Sequence, residues 1–354
     1  MIVTRIVDSL ETPSLDARNR VLDGSVDDLA YRAAFAEMSV LHAIEVRPPP
    51  RPSTVRDSAR IVFWNAERLK YFEASTALLR SLEADALILC EVDVGMARSG
   101  NRHTIGDLAR SLDAGFVFGA EFVELGLGDL REQRQHAGET NAAGLHGAGF
   151  VSRAVLDRPA LVRLETSGRW FDGAFHERRV GGRIAMMAEL TIAGDPVVLV
   201  SAHYESHTDP ADRLLQTRAM LDAVESHGSG RPVLVAGDFN TSTFSLDEKQ
   251  DSEFVRAALT KDPERLVAPV SYEPMFDLLR ERGYQWEGCN VLRAPTQRTR
   301  PDGTPCPPFG KIDWLFSRGL RCLSATVVPA VDSNGEAISD HDALAVTIAP
   351  DRFR

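Results

Sequence analysis

The chain has 354 residues, 44% of them hydrophobic and 26% charged, with a formal net charge of −11. That size and composition suit one large α/β domain or two small ones around a sizeable core. The acidic balance excludes a broad basic face of the kind that coats nucleic acid or a membrane surface, while leaving room for a local basic groove.

The first residues, MIVTRIVDSLETP, contain no long apolar run, so no signal peptide is expected. No apolar stretch reaches the length of a membrane span. Residues 1–57 read as a helical extension followed by a Pro-rich linker. Ser25 with Asp28 resembles a capping box, and Leu29, Ala33, Val40, Leu41 and Ile44 recur near helical spacing, predicting a helix from about 26 to 45. RPPPRP (47–52) is the stiff linker. Residues 58–354 form the catalytic-looking domain.

Within it, strands and helices alternate. Arg60–Trp64 and Ala86–Cys90 read as strands and Phe72–Leu82 as a helix. Thr104–Leu112 is a predicted helix and Gly115–Phe118 a strand. Gly147–Ser152 is a short strand with close backbone approach. Arg183–Ile192 and Pro196–Ala202 are neighbouring strands around the turn Ala193-Gly194-Asp195. Pro210–Glu225 is an amphipathic helix, and VLVAG (233–237) is a buried strand. Ile312–Phe316, Leu323–Val328 and Ala343–Ile348 complete the set. Short-turn neighbours imply antiparallel pairs, so two packed mixed β-sheets flanked by helices fit better than one doubly wound parallel sheet. The four cysteines, Cys90, Cys289, Cys306 and Cys322, show no zinc or redox spacing. A reduced, cytoplasmic chain is the simplest expectation, with Cys90 a small buried hydrophobe.

Polar residues collect where the apolar runs stop. Asn65 and Glu67 end the first strand, Glu91 the second, and His203 ends VVLVSA. Asp238 and Asn240 end VLVAG, Asp313 interrupts KIDWLF, and Asp340-His341 precedes the last strand. Each alone reads as a turn carboxylate, a helix cap or a satisfied core histidine; so many together point to a site. Asn65, Glu67, Glu91 and Asp340 offer oxygen ligands suited to Mg²⁺ or Mn²⁺ rather than zinc. His203 and His341 can carry a proton near neutral pH, and Asp313 can hold a histidine tautomer. The chemistry implied is hydrolysis assisted by a hard divalent cation.

These motifs resemble the endonuclease/exonuclease/phosphatase superfamily, which has the deoxyribonuclease-I-like fold. They are WNAE (64–67), ILCE (88–91), HGAGFVSR (146–153), GGRIAMMAEL (181–190), VSAHYES (200–206), GDFN (237–240), KIDWLF (311–316) and SDH (339–341), in the family's order. The resemblance implies a four-layer α/β sandwich with the site at one edge of two packed sheets. It further implies that Asn65 and Glu91 hold metal, with Glu67 at a more variable ligand position. Asp238 would orient or deprotonate water, Asn240 would donate to phosphate, and Asp313 would orient His341. Asp340 would be a second carboxylate of the metal site, and Arg183 a phosphate contact, with Arg178 or Arg179 as substitutes. Two departures stand out. AHYE (202–205) replaces the Tyr-x-Pro-Asn element of exonuclease-III-type repair enzymes, and Ala148 occupies a position where many relatives have Asn.

The expected function is hydrolysis of a phosphodiester by in-line water attack, with nucleic acid among the candidate substrates. The alternatives are a phosphatase of a small metabolite or lipid head group, and a non-catalytic binding protein. The last is disfavoured because the whole residue set is present. The stretch 308–313 lacks the inositol-phosphatase signature. No protein partner is inferable. Residues 291–310, VLRAPTQRTRPDGTPCPPFG, contain five prolines and run directly into the strand bearing Asp313. Arg298 and Arg300 on this stiffened loop are candidate phosphate contacts, against the ordinary reading of a solvated loop.

Overall fold

Ile61 and Phe63 leave their strand on one side, Val62 and Trp64 on the other, and each pair enters a different core. That alternation, repeated from strand to strand, sorts the chain into layers. The computed structural model describes residues 2–174, 176–228, 230–299 and 308–351.

In chain order the strands are β1 (Ile2–Val3), β2 (Ile6–Val7), β3 (Ile44–Arg47), β4 (Ala59–Arg68), β5 (Ala86–Val94), β6 (Gly115–Glu124), β7 (Leu145–Ser152), β8 (Leu156–Arg163), β9 (Arg179–Gly181), β10 (Ile184–Ile192), β11 (Asp195–His203), β12 (Val233–Asp238), β13 (Asp313–Arg318), β14 (Leu320–Val328) and β15 (Ala343–Pro350). The α-helices are α1 (Leu15–Leu22), α2 (Asp28–Glu37), α3 (Phe72–Ser81), α4 (Thr104–Ser111), α5 (Leu130–Gln135), α6 (Pro210–Gly228), α7 (Leu246–Gln250), α8 (Ser252–Lys261) and α9 (Met275–Glu281). One sheet runs β1-β8-β10-β11-β12-β13. The other runs β14-β15-β4-β5-β7-β6-β3-β2, with β9 also on β6. Both mix parallel and antiparallel pairs.

The sheets face each other across a core that includes Ile61, Phe63, Ile88 and Phe150 from one and Met186, Leu199, Leu234 and Leu315 from the other. On the outer side of the second sheet, Trp64 and Leu89 pack with Leu79 of α3 and Leu108 of α4. On the outer side of the first, Val200 and Val235 pack with Met220 of α6 and Phe276 of α9. This is the four-layer α/β sandwich expected from the sequence. The β10–β11 hairpin turns at Ala193-Gly194 as read, both with positive φ.

Three expectations change. The helix read over 26–45 is α2 alone. Its N-cap is Asp27, which accepts from the Ala30 amide at 2.8 Å. Leu29, counted in the apolar stripe, is 78% exposed, while Tyr31 and Ala34 are buried; the stripe was mis-phased. The remainder of the segment supplies β3, which pairs with β6, while β1 pairs with β8 of the other sheet. Residues read as an extension therefore contribute strands to both sheets. Finally, Cys289 and Cys322 form a disulfide, with Cα atoms 5.3 Å apart, where a reduced chain was expected. The bridge between Gln285 and Ser317 lays the Cys289 segment along β13, beside β14, a proximity that spacing does not reveal. Cys90 is buried and free as expected. Among the described residues no helix is long and apolar enough to cross a membrane.

The close approach read at 147–152 is real. A Cβ on Gly149 would lie 2.1 Å from the Val117 carbonyl oxygen of the paired strand β6. Gly149→Ala should therefore cost about 1–3 kcal/mol, the scale of overpacking, measured by urea unfolding. Gly126→Ala, whose Cβ would meet nothing within 4 Å, serves as the control and should stay near the parent stability.

Candidate active site

The register of three adjacent strands builds the first half of the site. His203 at the end of β11 lies opposite Asp238 at the end of β12, and Asp238 lies opposite Asp313 at the start of β13. One row of three side chains results, at the rim where the apolar strands end.

The second half comes from the other sheet, where β4 and β5 break their pairing. Register shifts occur between Asn65 and Arg68 and between Leu89 and Val92. Glu67, Arg68 and Glu91 have positive φ (41°, 69° and 51°). Bulges of this kind re-aim side chains and recur next to active sites. Here they turn Asn65, Arg68 and Glu91 toward the row on the facing sheet. A cavity of about 350 Å³ lies between, lined by Arg68, Glu91, His146, His203, Asp238 and His341, among others.

His341 is fastened from several sides. Its Nδ1 faces Asp313 Oδ2 at 2.8 Å, and its carbonyl accepts from Trp64 Nε1 at 2.9 Å. Its amide donates to Ser339 Oγ at 3.1 Å, and Ser339 Oγ donates to the Asn65 carbonyl at 2.8 Å. The other ring nitrogen, Nε2, is 3.7 Å from Asp238 Oδ2. Burial alone would push this imidazole down, but Asp313, Asp238 and Asp340 outweigh it and hold His341 well above the usual histidine range. Burial and the facing Asp313 raise Asp238. Asp238 Oδ2 also lies 3.8 Å from His203 Nε2, so it stands between the two histidines.

Asn65 bridges the halves. Its Nδ2 donates to Asp238 Oδ2 at 3.0 Å and to Glu91 Oε1 at 3.1 Å, and its Oδ1 accepts from the Glu67 amide at 3.2 Å. Glu91 Oε2 is buried and accepts no hydrogen bond; Arg68 Nη1 stands 3.2 Å away as an ion pair. Burial works against the charged Glu91, yet Arg68 and the histidines hold it well below the usual carboxylate range. Asp340 has no such surplus of cations. Burial, with Glu67 and Glu91 nearby, pushes its carboxyl up to about 7. A Glu91 carboxylate oxygen without a hydrogen bond, near an Asp340 carboxyl whose charge is under-compensated, is the donor chemistry that a hard divalent cation fits. Two sets of ligand atoms also lie within 4.8 Å of one another: Asp238, Asp313 and His341, and Glu121, His146 and His203.

The other expected residues have partners of their own, and Arg183 and Asn240 also line the cavity. Glu67 ties down the loop of Asp340, accepting from its amide at 3.1 Å and pairing with Lys70. Asn240 donates from Nδ2 to the Tyr204 carbonyl at 3.0 Å. Arg183 commits its guanidinium to Glu121 at 3.2 Å, Glu205 at 3.3 Å and His203 Nδ1 at 3.0 Å, so it backs His203. Arg178 donates to backbone carbonyls of 22–25, and Arg179 pairs with Glu124 and Glu177. The loop of Arg298 does reach the site, because its amide donates to the Asp340 carbonyl at 2.7 Å. Its guanidinium, however, pairs in bidentate fashion with Asp342, and Gln297 lines the cavity instead. Arg300 lies outside the described residues.

Sequence reasoning missed Arg68 and His146, which line the cavity, and Glu121, which stands behind His203. Glu121 is a charge inside the fully buried strand β6, a signal that could have been used. Its Oε2 lies 3.2 Å from His203 Nδ1. Burial would raise it, but His203 and Arg183 hold it down at about 2. His146 Nδ1 lies 2.8 Å from Asp93 Oδ1, and Arg98 grips Asp93 from Nε and Nη2 at 2.9 and 3.0 Å.

The family model described as Endonuclease/Exonuclease/phosphatase family matches residues 62–341. The chain belongs to that family, whose members are phosphoric ester hydrolases. A search of curated proteins gave no match. Among solved structures the chain is similar to an endonuclease/exonuclease/phosphatase from Beutenbergia cavernae DSM 12333, with 16% identity over 83% of this chain and 72% of that one and a TM-score of 0.53. It is similar to the human Nocturnin catalytic domain with bound sulfate anion, at 17% identity, 86% and 99% coverage and a TM-score of 0.50. A mannosyl-6-phosphatase from Bacteroides thetaiotaomicron VPI-5482 aligns at 13% identity, 82% and 100% coverage and a TM-score of 0.50. At these identities the likeness is one of fold.

The Asp313–His341 contact has a direct spectroscopic readout. In the metal-free protein, Asp313→Asn removes the largest of the charges that raise His341. The imidazole titration, followed by NMR of its ring nuclei, should move downward. An unchanged titration would mean that Asp238 and Asp340 alone set its charge.

Proposed function

We propose that this member of the endonuclease/exonuclease/phosphatase family hydrolyses a phosphodiester by in-line attack of water, with Mg²⁺ or Mn²⁺ as cofactor. The observation that carries the reading is the row of His203, Asp238 and Asp313 facing Glu91 across one cavity. On this reading Asp238 is the water-positioning carboxylate and Glu91 the cation-binding one.

Glu91, with Asn65 and Asp340 beside it, would hold the cation. Bound there, a hard divalent ion supplies the charge that polarises a phosphoryl oxygen and relieves the leaving oxyanion. The chain's own residues do the rest. Asp238 Oδ2, between His203 Nε2 and His341 Nε2, orients water and receives its proton. Asp313 keeps Nδ1 of His341 occupied, so Nε2 is left to donate to an equatorial phosphoryl oxygen. In that geometry His341 serves as a charge-stabilising donor. Glu121 meets the ring of His203 at Nδ1, and Arg183 Nη1 lies near both ring nitrogens, at 3.0 and 3.1 Å, so the two fix its orientation. Asn240 keeps one amide hydrogen on Tyr204 and has a second for the phosphate.

A phosphatase acting on a small phosphorylated metabolite is the second reading. It is favoured by the confined cavity of about 350 Å³ together with the net charge of −11, which makes a long polyanion a poor fit. A panel with Mg²⁺ separates the two: bis-p-nitrophenyl phosphate, single- and double-stranded DNA and RNA against p-nitrophenyl phosphate and sugar or inositol phosphates. Turnover of monoesters alone would overturn the phosphodiesterase reading.

Glu91→Gln should abolish most turnover and weaken Mg²⁺ binding while the fold survives; normal titration and turnover would remove Glu91 from the site. His341→Ala, if folded by circular dichroism, should lower kcat by at least about 10²-fold, the scale of a positioned donor or acid. A near-normal kcat would count against its role.

A further inference from the structure

Arg68 is placed where strand alternation alone would not put it. Trp64 and Ala66 point into the helix-covered core, and an unbroken β4 would send Arg68 after them. Instead Glu67, Arg68 and Leu69 take three successive positive φ values, 41°, 69° and 52°, and Arg68 lines the cavity. Three consecutive left-handed non-glycine residues are strained, and such strain persists only when its surroundings enforce it.

The guanidinium makes two ion pairs, Nη1 to Glu91 Oε2 at 3.2 Å and Nε to Glu132 Oε1 at 3.1 Å. Neither is a directed hydrogen bond: Arg68 Nε and Glu91 Oε2 are both buried without a hydrogen-bond partner. Arg98, a few ångströms deeper in the same network, shows the contrast. It donates to Asp93 at 2.9 and 3.0 Å and to Glu132 at 2.9 Å. Glu132 therefore keeps a well-formed partner without Arg68. Glu91 would keep only the neutral Asn65 donor on Oε1, at 3.1 Å, with His203 Nε2 3.8 Å away. Arg68 is held at Glu91 by charge and leaves its Nε donor unsatisfied.

We propose that Arg68 is a phosphate-binding residue kept in reserve as the resident cation of Glu91, which a divalent metal displaces toward the substrate's phosphoryl oxygens. This rests on the reading of Glu91 as the cation-binding carboxylate. Arg68 Nη1 and a metal ion cannot both occupy Glu91 Oε2 without close like-charge contact. The side chain is long and already borders the cavity, so a displaced guanidinium meets whatever anion enters. Metal and phosphate then favour one another, and the coupling must be reciprocal.

The test is calorimetric and needs no turnover. Mn²⁺ alone is titrated into the full-length parent, Arg68→Met and Glu91→Gln, first without and then with inorganic phosphate. Arg68→Met should bind Mn²⁺ at least about five-fold more tightly than the parent, and phosphate should tighten Mn²⁺ binding in the parent by a similar factor, the lower end of measured couplings. In Arg68→Met that phosphate effect should be smaller than in the parent, leaving only the direct attraction of metal for phosphate. Equal or weaker Mn²⁺ binding by a folded Arg68→Met overturns the proposal. Should that variant not fold, the parent decides alone: absence of phosphate-linked tightening overturns it equally. Glu91→Gln separates the two levels. If it binds Mn²⁺ normally, the assignment of Glu91 fails. If it loses Mn²⁺ while Arg68→Met gains nothing, only the role of Arg68 fails.

Discussion

Register across β11, β12 and β13 is the constraint on which the site rests. His203, Asp238 and Asp313 share one row only because each strand ends where its neighbour's register requires. A slip of one residue would send Asp238 to the other face of the sheet and bring Gly237 into the row. The register is held by burial on both faces. Leu234 and Ala236 enter the inter-sheet core, while Val233 and Val235 enter the core under α6 and α9. The row thus inherits its precision from the apolar packing beneath it.

Burying so many acids demands compensation, and it is distributed unevenly. Behind the cavity, Asp93, Glu121 and Glu205 each meet an arginine, and each is held below the carboxylate range despite burial. Such pairs contribute little net stability, but removing one partner strands the other. At the cavity itself compensation runs short. Asp340 and Asp238 are raised, and Glu91 leans on Arg68. A fully neutralised wall supporting an under-compensated mouth directs positive charge to one place.

The parts of this arrangement that were legible in the sequence share a physical cause. Asn65, Glu91, His203, Asp238 and His341 sit where an apolar run stops, and a buried strand that ends in a polar residue delivers it to a sheet edge. The layers were legible for the same reason, since two-residue alternation and antiparallel turns are local. What escaped depends on distance or on broken alternation. Arg68 follows WNAE directly, yet only the bulge tells which side it faces. Arg298 looked available because its partner, Asp342, lies far along the chain. The partners of Glu67, the Asp340 amide and Lys70, were not legible because a loop that closes over it sets them. The 26–45 helix failed because the spacing was matched without asking which side of the helix would be covered.

The placement of β15 bears on how the protein is made. Strand β4 is flanked by β5, synthesised soon after it, and by β15, the last strand of the order. While the polypeptide emerges from the ribosome, β4 therefore waits with one row of backbone amides and carbonyls unpaired, beside Ile61 and Phe63. Docking of β15 closes that edge and, in the same motion, carries His341 to Asp313 and Ser339 to the Asn65 carbonyl. Sheet completion and assembly of the candidate site are one event, so the segment that covers the open edge of β4 is also the one that completes the cluster around His341.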